Sequence, residues 1–181
     1  VAHAAVDLAK SIFSDFRGRE ALLLGAGKMS ELTAKHMAQS GMTRIRVANR
    51  TRERAITLAS RLGGTAVPYE ELYEHLVTSD VLISSTSAPN FVIERPALHA
   101  VMRRRRGRPL LLIDIAVPRD IDPACADIDN VFLYNVDDLE SVVAEMAQAR
   151  RAEIAAVNAI VEEECFKFHA WIKERSAAPV V

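Results

Sequence analysis

The sequence predicts an α/β fold in which a doubly wound parallel sheet is followed by a long C-terminal helix. Short apolar runs alternate with amphipathic helical patterns along most of the chain. A glycine-rich turn joins the first apolar run directly to a helix. The stretch from Asp138 to about Lys173 contains no Gly or Pro and repeats apolar residues at three- and four-residue steps. These observations predict a sheet-containing domain over residues 1–136 and a long helix over residues 137–181.

The short apolar runs are predicted as strands and the amphipathic segments between them as helices. The strands are predicted at 21–24, 45–47, 65–67, 81–84, 110–114 and 131–134. Helices are predicted at 2–16, at 69–77 and at 95–103. Two more are predicted in between: one runs from the glycine turn to Gly41, and the other follows the second strand and ends at Gly63. The helix after the glycine turn has an apolar stripe formed by Met29, Leu32, His36 and Met37. Because strands that alternate with helices form βαβ units, we expect a Rossmann-type sheet with helices on both faces.

The C-terminal helix is too long to be covered by the domain that precedes it. At 1.5 Å per residue, about 35 residues extend roughly 50 Å, which exceeds the diameter of a small domain. Its apolar stripe consists of Leu139, Val142, Val143, Met146, Ile154, Val157, Ile160, Val161, Phe168 and Ile172. We therefore expect part of the stripe to contact another domain or a second copy of the chain. A helix that breaks and folds back is the alternative.

Composition and charge exclude several classes of protein. The 181 residues fit one α/β domain with a modest appendage, and the net charge of −1 gives no general attraction for nucleic acid or anionic membranes. No apolar run approaches the roughly 20 residues of a membrane span, and no signal segment opens the chain. Cys125 and Cys165 form neither a zinc motif nor a disulfide framework, which favours a reducing cytoplasm. The first residue, Val1, is consistent with a piece of a longer protein.

The glycine-rich turn is predicted to bind the pyrophosphate of a dinucleotide. Its residues are Gly25, Ala26, Gly27, Lys28, Met29 and Ser30. The first glycine permits a tight turn, the second lets the backbone approach the pyrophosphate, and the N–H groups of the following helix point at that anion. Ser30 replaces the third glycine of such motifs, and a small residue there still allows close helix packing. The spacing differs from that of a P-loop. A glycine turn without a ligand is the alternative.

The end of the second strand favours NADP(H) over NAD. An NAD site places an Asp or Glu about 20 residues after the glycines, where it binds the ribose 2′-hydroxyl. Here the residues are Asn49, Arg50, Thr51 and Arg52, and the first carboxylate is Glu53. Two guanidinium groups and two small polar side chains suit a 2′-phosphate. The alternative is that both arginines cap the strand and face water.

The loops after the fourth and fifth strands are predicted to line the same groove, because ligands bind beyond the carboxyl ends of parallel strands. Ser84, Ser85 and Thr86 are predicted to contact the cofactor, and the loop from Asp114 to Asp120 is predicted to border the nicotinamide end. Arg119 either faces a substrate or partner domain, or forms an ion pair with Asp120 or Asp122.

The basic run Arg103–Arg106 suggests nucleic-acid binding, but a solvated helix end that complements the helix dipole is favoured. The five histidines form no pattern typical of a metal site or a catalytic triad. We therefore expect no metal site and no catalytic residue in this chain, only a cofactor groove.

The motifs at 25–29, 47–51, 83–89, 112–123 and 133–139 together resemble glutamyl-tRNA reductase, and the similarity covers essentially the whole chain. The stretch 112–123 is far more specific than the glycine turn. The resemblance implies an enzyme of tetrapyrrole biosynthesis that reduces glutamyl-tRNA to glutamate-1-semialdehyde with NADPH. It also implies an N-terminal domain with a nucleophilic cysteine, and a spinal helix that leads to a C-terminal dimerisation region.

By this resemblance the chain corresponds to the NADPH domain and much of the spinal helix. Neither Cys125 nor Cys165 matches the catalytic cysteine, so the chain is expected to bind NADPH without reducing glutamyl-tRNA. The implied partners are glutamyl-tRNA, a second copy of the protein and an enzyme that accepts the aldehyde. Two alternatives are the cofactor domain of a shikimate-dehydrogenase-like enzyme and a non-enzymatic NADP(H)-sensing module.

Overall fold

A computed structural model describes the backbone of residues 2–176. Side chains are described throughout that range except at 145–147, 149–153, 155–156, 170 and 173–176. The contacts divide the chain into two units at the step from Glu140 to Ser141.

The first unit contains a parallel sheet. Its strands are β1 (Glu20–Leu24), β2 (Arg44–Ala48), β3 (Thr65–Val67), β4 (Val81–Ser84), β5 (Leu110–Asp114) and β6 (Val131–Asn135). All neighbouring strands are parallel, and their order is β3-β2-β1-β4-β5-β6. This is the order of a doubly wound dinucleotide-binding sheet. The predicted fold class is therefore confirmed.

Helices connect these strands. They are α1 (Ala2–Phe13), α2 (Lys28–Gln39), α3 (Arg52–Leu62), α4 (Leu72–Thr78) and α5 (Arg95–Arg105), followed by α6 (Val136–Ser176). Short 3₁₀ turns at Tyr69–Glu71 and Pro123–Asp127 complete the connections. The first helix was expected to reach residue 16 but ends at Phe13, because Ser14 adopts a positive φ of 63°.

Both faces of the sheet are buried, which explains why the central strands are continuously apolar. In β1, Ala21 and Leu23 pack in one hydrophobic cluster with α1, α2 and α3, whereas Leu22 and Leu24 pack in a second cluster with α4 and α5. Successive side chains of a strand point to opposite faces, so one strand supplies both clusters. Every side chain of β1, β4 and β5 is buried.

The face of α2 that packs on the domain differs from the predicted stripe. Its buried residues are Ser30, Thr33, Ala34 and Met37. Met29 and Leu32 are 41% and 44% exposed, so the prediction for these two side chains is wrong. The reason is that small residues let α2 lie close to its neighbours, while hydroxyl groups bond to the helix itself. Ser30 donates to the Gly27 carbonyl at 2.9 Å, and Thr33 donates to the Met29 carbonyl at 2.9 Å.

The long helix α6 begins in the first unit. Leu139 is fully buried in the cluster beside α1–α3, and Asn135 accepts hydrogen bonds from the amides of Asp137 and Asp138. The helix is continuous over 41 residues, so it does not fold back between Val136 and Ser176. The side chain of Met146 and the segment 177–181 lie outside the described residues. Within the part of the chain described here, no helix is long and apolar enough to cross a membrane.

Candidate functional site

The carboxyl ends of the central strands are aligned. Leu24, the last residue of β1, pairs with Ala48 of β2 and with Ser84 of β4, and Ser84 pairs with Asp114 of β5. The loops that follow these strands therefore leave the sheet at one edge. β1 lies between β2 and β4, so the strands before and after this point are added to opposite sides of β1. Such folds bind their ligands at this point.

A cavity of about 410 Å³ lies at this edge. It is lined by Gly25, Ala26, Gly27, Asn49, Arg50, Thr51, Arg54, Tyr69, Ser85, Thr86, Ser87 and Ala88. The loops after β1, β2 and β4 thus bring together most of the residues predicted to bind a cofactor. Two arginines contribute to the lining, and none of the residues that line it carries a carboxylate.

Five residues with a predicted cofactor contact lie outside this lining. Lys28 and Met29 are exposed in the first turn of α2, and Ser30 is buried beneath it. Ser84 is fully buried and donates a hydrogen bond of 2.6 Å to Asp120. Arg52 lines a neighbouring cavity of about 240 Å³, which it shares with Arg50.

Arg54 is a cavity residue that the sequence prediction missed. Thr51 is the N-cap of α3, and the amide of Arg54 donates to the Thr51 carbonyl at 3.1 Å. Residues three apart in a helix share one face, so Arg54 lines the same cavity as Thr51. Arg52 is only one position from the cap and therefore points elsewhere. Assigning the start of α3 to residue 52 in the sequence would have indicated Arg54, and not Arg52, as the cavity residue.

The two glycines of the turn allow the loop after β4 to approach closely. Gly25 has a φ of +94°, and a Cβ there would lie 2.7 Å from the carbonyl oxygen of Ser85. A Cβ on Gly27 would lie 3.0 Å from Ser85 Oγ. Gly25 is therefore required by packing against the Ser85 main chain as well as by the turn, whereas a Cβ on Gly27 would be in tight contact with the Ser85 side chain.

The turn has the donors that a dinucleotide requires. Gly27 is the N-cap of α2 and provides no side-chain acceptor for the first N–H groups of the helix. Ser85 Oγ is buried and has no hydrogen-bond partner, although its residue lines the cavity. A bound anion would satisfy the N–H groups, and a ligand oxygen would satisfy the hydroxyl. The residues present therefore fit a nucleotide cofactor.

The loop after β5 is held by Asp114. Its buried carboxylate accepts hydrogen bonds from the amides of Ala116, Asp120 and Ile121 at 3.1, 3.0 and 2.9 Å. Burial raises the pKa of Asp114, and these amides oppose that effect because they stabilise the anion. The Val117–Pro118 peptide bond in this loop is cis.

Arg119 forms an ion pair, but with a different partner from those considered in the sequence. Its guanidinium lies 3.6 Å from the carboxylate of Asp137 in the first turn of α6. The expected partner Asp120 is instead fully buried and bonds to the loop after β4.

The basic run is not simply a solvated helix end. Arg105 is 1% exposed. It donates hydrogen bonds to the carbonyl groups of Leu76, Val77, Ser79, Arg108 and Pro109. Burial lowers the pKa of Arg105 to about 10. Arg104 forms a bidentate pair with Glu74 at 2.7 and 2.6 Å. These two arginines join the end of α5 to α4 and the turn before β4, so the prediction of a solvated end is wrong for Arg105.

The two cysteines differ in environment, and neither lines the cavity. Cys125 is fully buried, and burial raises the pKa of its thiol to about 12, whereas Cys165 is exposed. A thiol with a raised pKa is a poor nucleophile at neutral pH. That this chain contains no catalytic residue stays a prediction.

Comparisons with known proteins identify similar domains. A family model described as shikimate / quinate 5-dehydrogenase matches residues 7–142. The glutamyl-tRNA reductase of Halalkalibacterium halodurans is 46% identical over all 181 residues. The match covers 100% of this chain but 39% of that protein, so the chain spans about two fifths of the length of this relative.

Solved structures agree with these matches. Glutamyl-tRNA reductase from Methanopyrus kandleri superposes with a TM-score of 0.80 at 39% identity, over 96% of this chain and 44% of that one. The nucleotide-binding domain of the Thermoplasma volcanium glutamyl-tRNA reductase superposes with a TM-score of 0.60 at 18% identity. That match covers 82% of this chain and 96% of that domain, and at this identity it shows the fold alone.

Proposed function

We propose that the chain, which belongs to the family described as shikimate / quinate 5-dehydrogenase and is similar over its length to glutamyl-tRNA reductases, is the NADPH-binding domain of such a reductase. The observation that carries the proposal is the cavity at the carboxyl edge of the sheet. It combines the glycine turn with Arg50 and Arg54, and no carboxylate lines it.

Arg50 and Arg54 bind the 2′-phosphate of the cofactor in this proposal. Asn49 and Thr51 line the same cavity. The Asn49 side chain donates to the Thr51 carbonyl at 2.9 Å, which fixes the loop between β2 and α3. A hydrogen bond to a charged group contributes about 1.5–3 kcal/mol, so each arginine would favour NADPH over NADH by about tenfold or more. Arg52, in the adjoining cavity, contributes less.

The glycine turn and the loop after β4 hold the rest of the dinucleotide. The N–H groups at the start of α2, at Lys28, Met29 and Ser30, face the pyrophosphate through their backbone, which explains why the Lys28 and Met29 side chains are free to be exposed. Ser85 and Thr86 line the cavity next to the glycine turn. When bound, NADPH supplies a hydride; the chain's own residues bind and orient it.

We propose further that the parent protein reduces glutamyl-tRNA to glutamate-1-semialdehyde in tetrapyrrole biosynthesis. The glutamyl-tRNA reductase of Halalkalibacterium halodurans is more than twice as long as the chain, which covers 39% of its length. The nucleophilic cysteine would come from the remainder of the parent, because neither described cysteine lines the cavity. A homodimer and a partner enzyme that accepts the aldehyde belong to the same proposal.

Titration of the purified chain with NADPH and with NADH tests the cofactor proposal. We expect NADPH to bind more tightly by at least about tenfold for each of the two arginines, and Arg50→Ala to reduce this preference by about tenfold while NADH binding changes little. Equal affinity for the two nucleotides in the unsubstituted chain would contradict the 2′-phosphate site. Failure of both to bind would contradict the proposal for this chain as a whole.

The activity proposal is tested by incubating the chain and the full-length parent with glutamyl-tRNA and NADPH. The parent should form glutamate-1-semialdehyde and the chain alone should not. Semialdehyde formed by the chain alone would show that a catalytic group is present in it after all. Oxidation of shikimate by the parent, without reduction of glutamyl-tRNA, would favour the shikimate-dehydrogenase alternative instead.

A further inference from the structure

Asp120 is a fully buried carboxylate that connects two loops. It lies after β5, but its side chain bonds to residues that follow β4. Its Oδ2 accepts a hydrogen bond from Ser84 Oγ at 2.6 Å and one from the Thr86 amide at 2.7 Å. Its Oδ1 accepts a third from the Thr86 hydroxyl. Thr86, which lines the cavity, therefore donates two of these three hydrogen bonds.

The main chain of Asp120 holds the other end of the same loop. Its carbonyl oxygen accepts hydrogen bonds from the amides of Val92 and Ile93 at 2.6 and 3.0 Å. Its own amide donates to Asp114 at 3.0 Å. The loop from Ser85 to Val92 is therefore fixed at both ends by one residue that does not itself line the cavity.

These contacts decide which hydroxyl group is available to a ligand. A carboxylate only accepts hydrogen bonds, so the Thr86 hydroxyl must donate its proton to Asp120. The same oxygen accepts a bond from the Ala88 amide at 3.1 Å. The neighbouring Ser85 Oγ is buried and has no partner, although it lies close to Gly27. The Thr86 hydroxyl is thus used within the protein, and the Ser85 hydroxyl is left for the cofactor.

We propose that Asp120 is a positioning residue which, by immobilising Thr86, places the Ser85 hydroxyl to donate a hydrogen bond to the bound dinucleotide. The inference rests on the proposed NADPH site and deepens it. Asp120 does not line the cavity; it acts through the loop after β4. A free loop would have to be ordered on binding, so fixing it in advance increases affinity.

The affinity test measures NADPH binding to the full chain carrying Asp120→Ala, Thr86→Val or Ser85→Ala. Each substitution should weaken binding by about threefold to tenfold, the effect of one uncharged hydrogen bond. Asp122→Ala is the matched control, because this carboxylate lies two residues away and accepts only from the Ala124 amide of the 3₁₀ turn. The control should leave affinity within about twofold.

A double-mutant cycle separates positioning from general damage to the fold. In a chain that already carries Ser85→Ala, adding Thr86→Val should weaken NADPH binding by less than about twofold, because the hydroxyl to be placed is gone. If the two effects instead multiply, Asp120 and Thr86 do not act through Ser85 and the inference is wrong. Unchanged affinity in Asp120→Ala and Thr86→Val would also overturn it.

A second measurement needs no ligand. Hydrogen exchange at the Thr86 amide should accelerate at least about tenfold in Asp120→Ala and stay unchanged in Asp122→Ala, since only Asp120 accepts from that amide. Unchanged exchange in Asp120→Ala would refute the positioning role even if nothing is known about binding. A wild-type chain that binds neither NADPH nor NADH would refute the proposed function, whereas the exchange result would still decide whether Asp120 holds the loop.

Discussion

Gly25 is constrained by its backbone conformation and by close packing, and a comparison with Gly41 separates these two effects. Its φ of +94° disfavours any residue with a Cβ, and a Cβ would also meet the Ser85 carbonyl oxygen at 2.7 Å. Gly41 shares the first constraint, with a φ of +104°, but has no atom within 4 Å of its Cβ position. The two glycines therefore form a matched pair in which only one is packed against another loop.

We expect Gly41→Ala to lower the free energy of unfolding by about 1–2 kcal/mol, the cost of a left-handed backbone for alanine. Gly25→Ala should cost about 1–3 kcal/mol more, because the loop after β4 must shift to remove the clash. Urea denaturation of the two variants measures the difference. Equal losses would mean that the loop moves away without cost and that Gly25 is required only by the turn.

Arg54 and Arg52 provide a second comparison between single residues. Both lie in the first turn of α3, but only Arg54 lines the main cavity. We expect Arg54→Ala to weaken NADPH binding by about tenfold or more and to leave NADH binding nearly unchanged, since NADH has no 2′-phosphate. Arg52→Ala should change NADPH affinity by less than about threefold. Isothermal titration with both nucleotides measures this, and a larger effect at Arg52 would reverse our assignment.

Residue types in the glycine turn, at the end of β2 and after β4 were sufficient to predict most of the residues that line the cavity. Asn49, Arg50 and Thr51 follow a strand directly, so their position depends only on where that strand ends. Arg54 could not be chosen over Arg52 without the first residue of α3, which fixes the direction of each side chain. Asp120 bonds to residues 34 and 36 positions away, and no local pattern reveals a partner at that distance.

At the scale of elements, apolar runs predicted the strands because both faces of this sheet are buried. The stripe of α2 was predicted wrongly for the opposite reason. Counting large apolar residues selected Met29 and Leu32, while close packing is made by Ser30, Thr33 and Ala34, which a hydrophobicity pattern does not single out. Helix length was also easier to predict than packing: α6 has no Gly or Pro from Asp138 to Lys173 and remains unbroken.

The junction between α5, α4 and β4 depends on one buried cation. Arg105→Met keeps most of the side-chain volume but leaves several main-chain carbonyl groups without a donor. Each unsatisfied buried acceptor costs about 1–3 kcal/mol, so we expect a loss of about 3 kcal/mol or more in the free energy of unfolding. Arg104→Met is the control, because Arg104 and Glu74 form an exposed, solvent-screened pair whose loss should change the free energy of unfolding little. Similar losses in urea denaturation for both variants would contradict a structural role for Arg105.

At the scale of the whole molecule, the second unit presents apolar side chains without a described cover. Val157 and Val161 are 57% and 53% exposed, and Ile154 and Ile160 are 55% and 62% exposed. A run of exposed apolar residues along one helix is typical of a surface that meets another chain or domain. The curated relative is more than twice as long as this chain, so a protein of that length offers both occupants, another domain and a second copy.

We predict that the chain self-associates through α6. Val157 and Val161 lie one turn apart, and replacing both with Glu would put two charges into an apolar contact, where unpaired charges are strongly unfavourable. Sedimentation velocity over a concentration series should show a dimer for the unsubstituted chain and a monomer for the double variant.

Asn158→Glu, at an exposed polar position beside Val157, is the control and should remain dimeric. NADPH affinity should be the same in all three chains, because the cavity residues belong to the first unit. A chain that stays monomeric at every concentration would contradict self-association and would assign this surface of α6 to the rest of the parent protein.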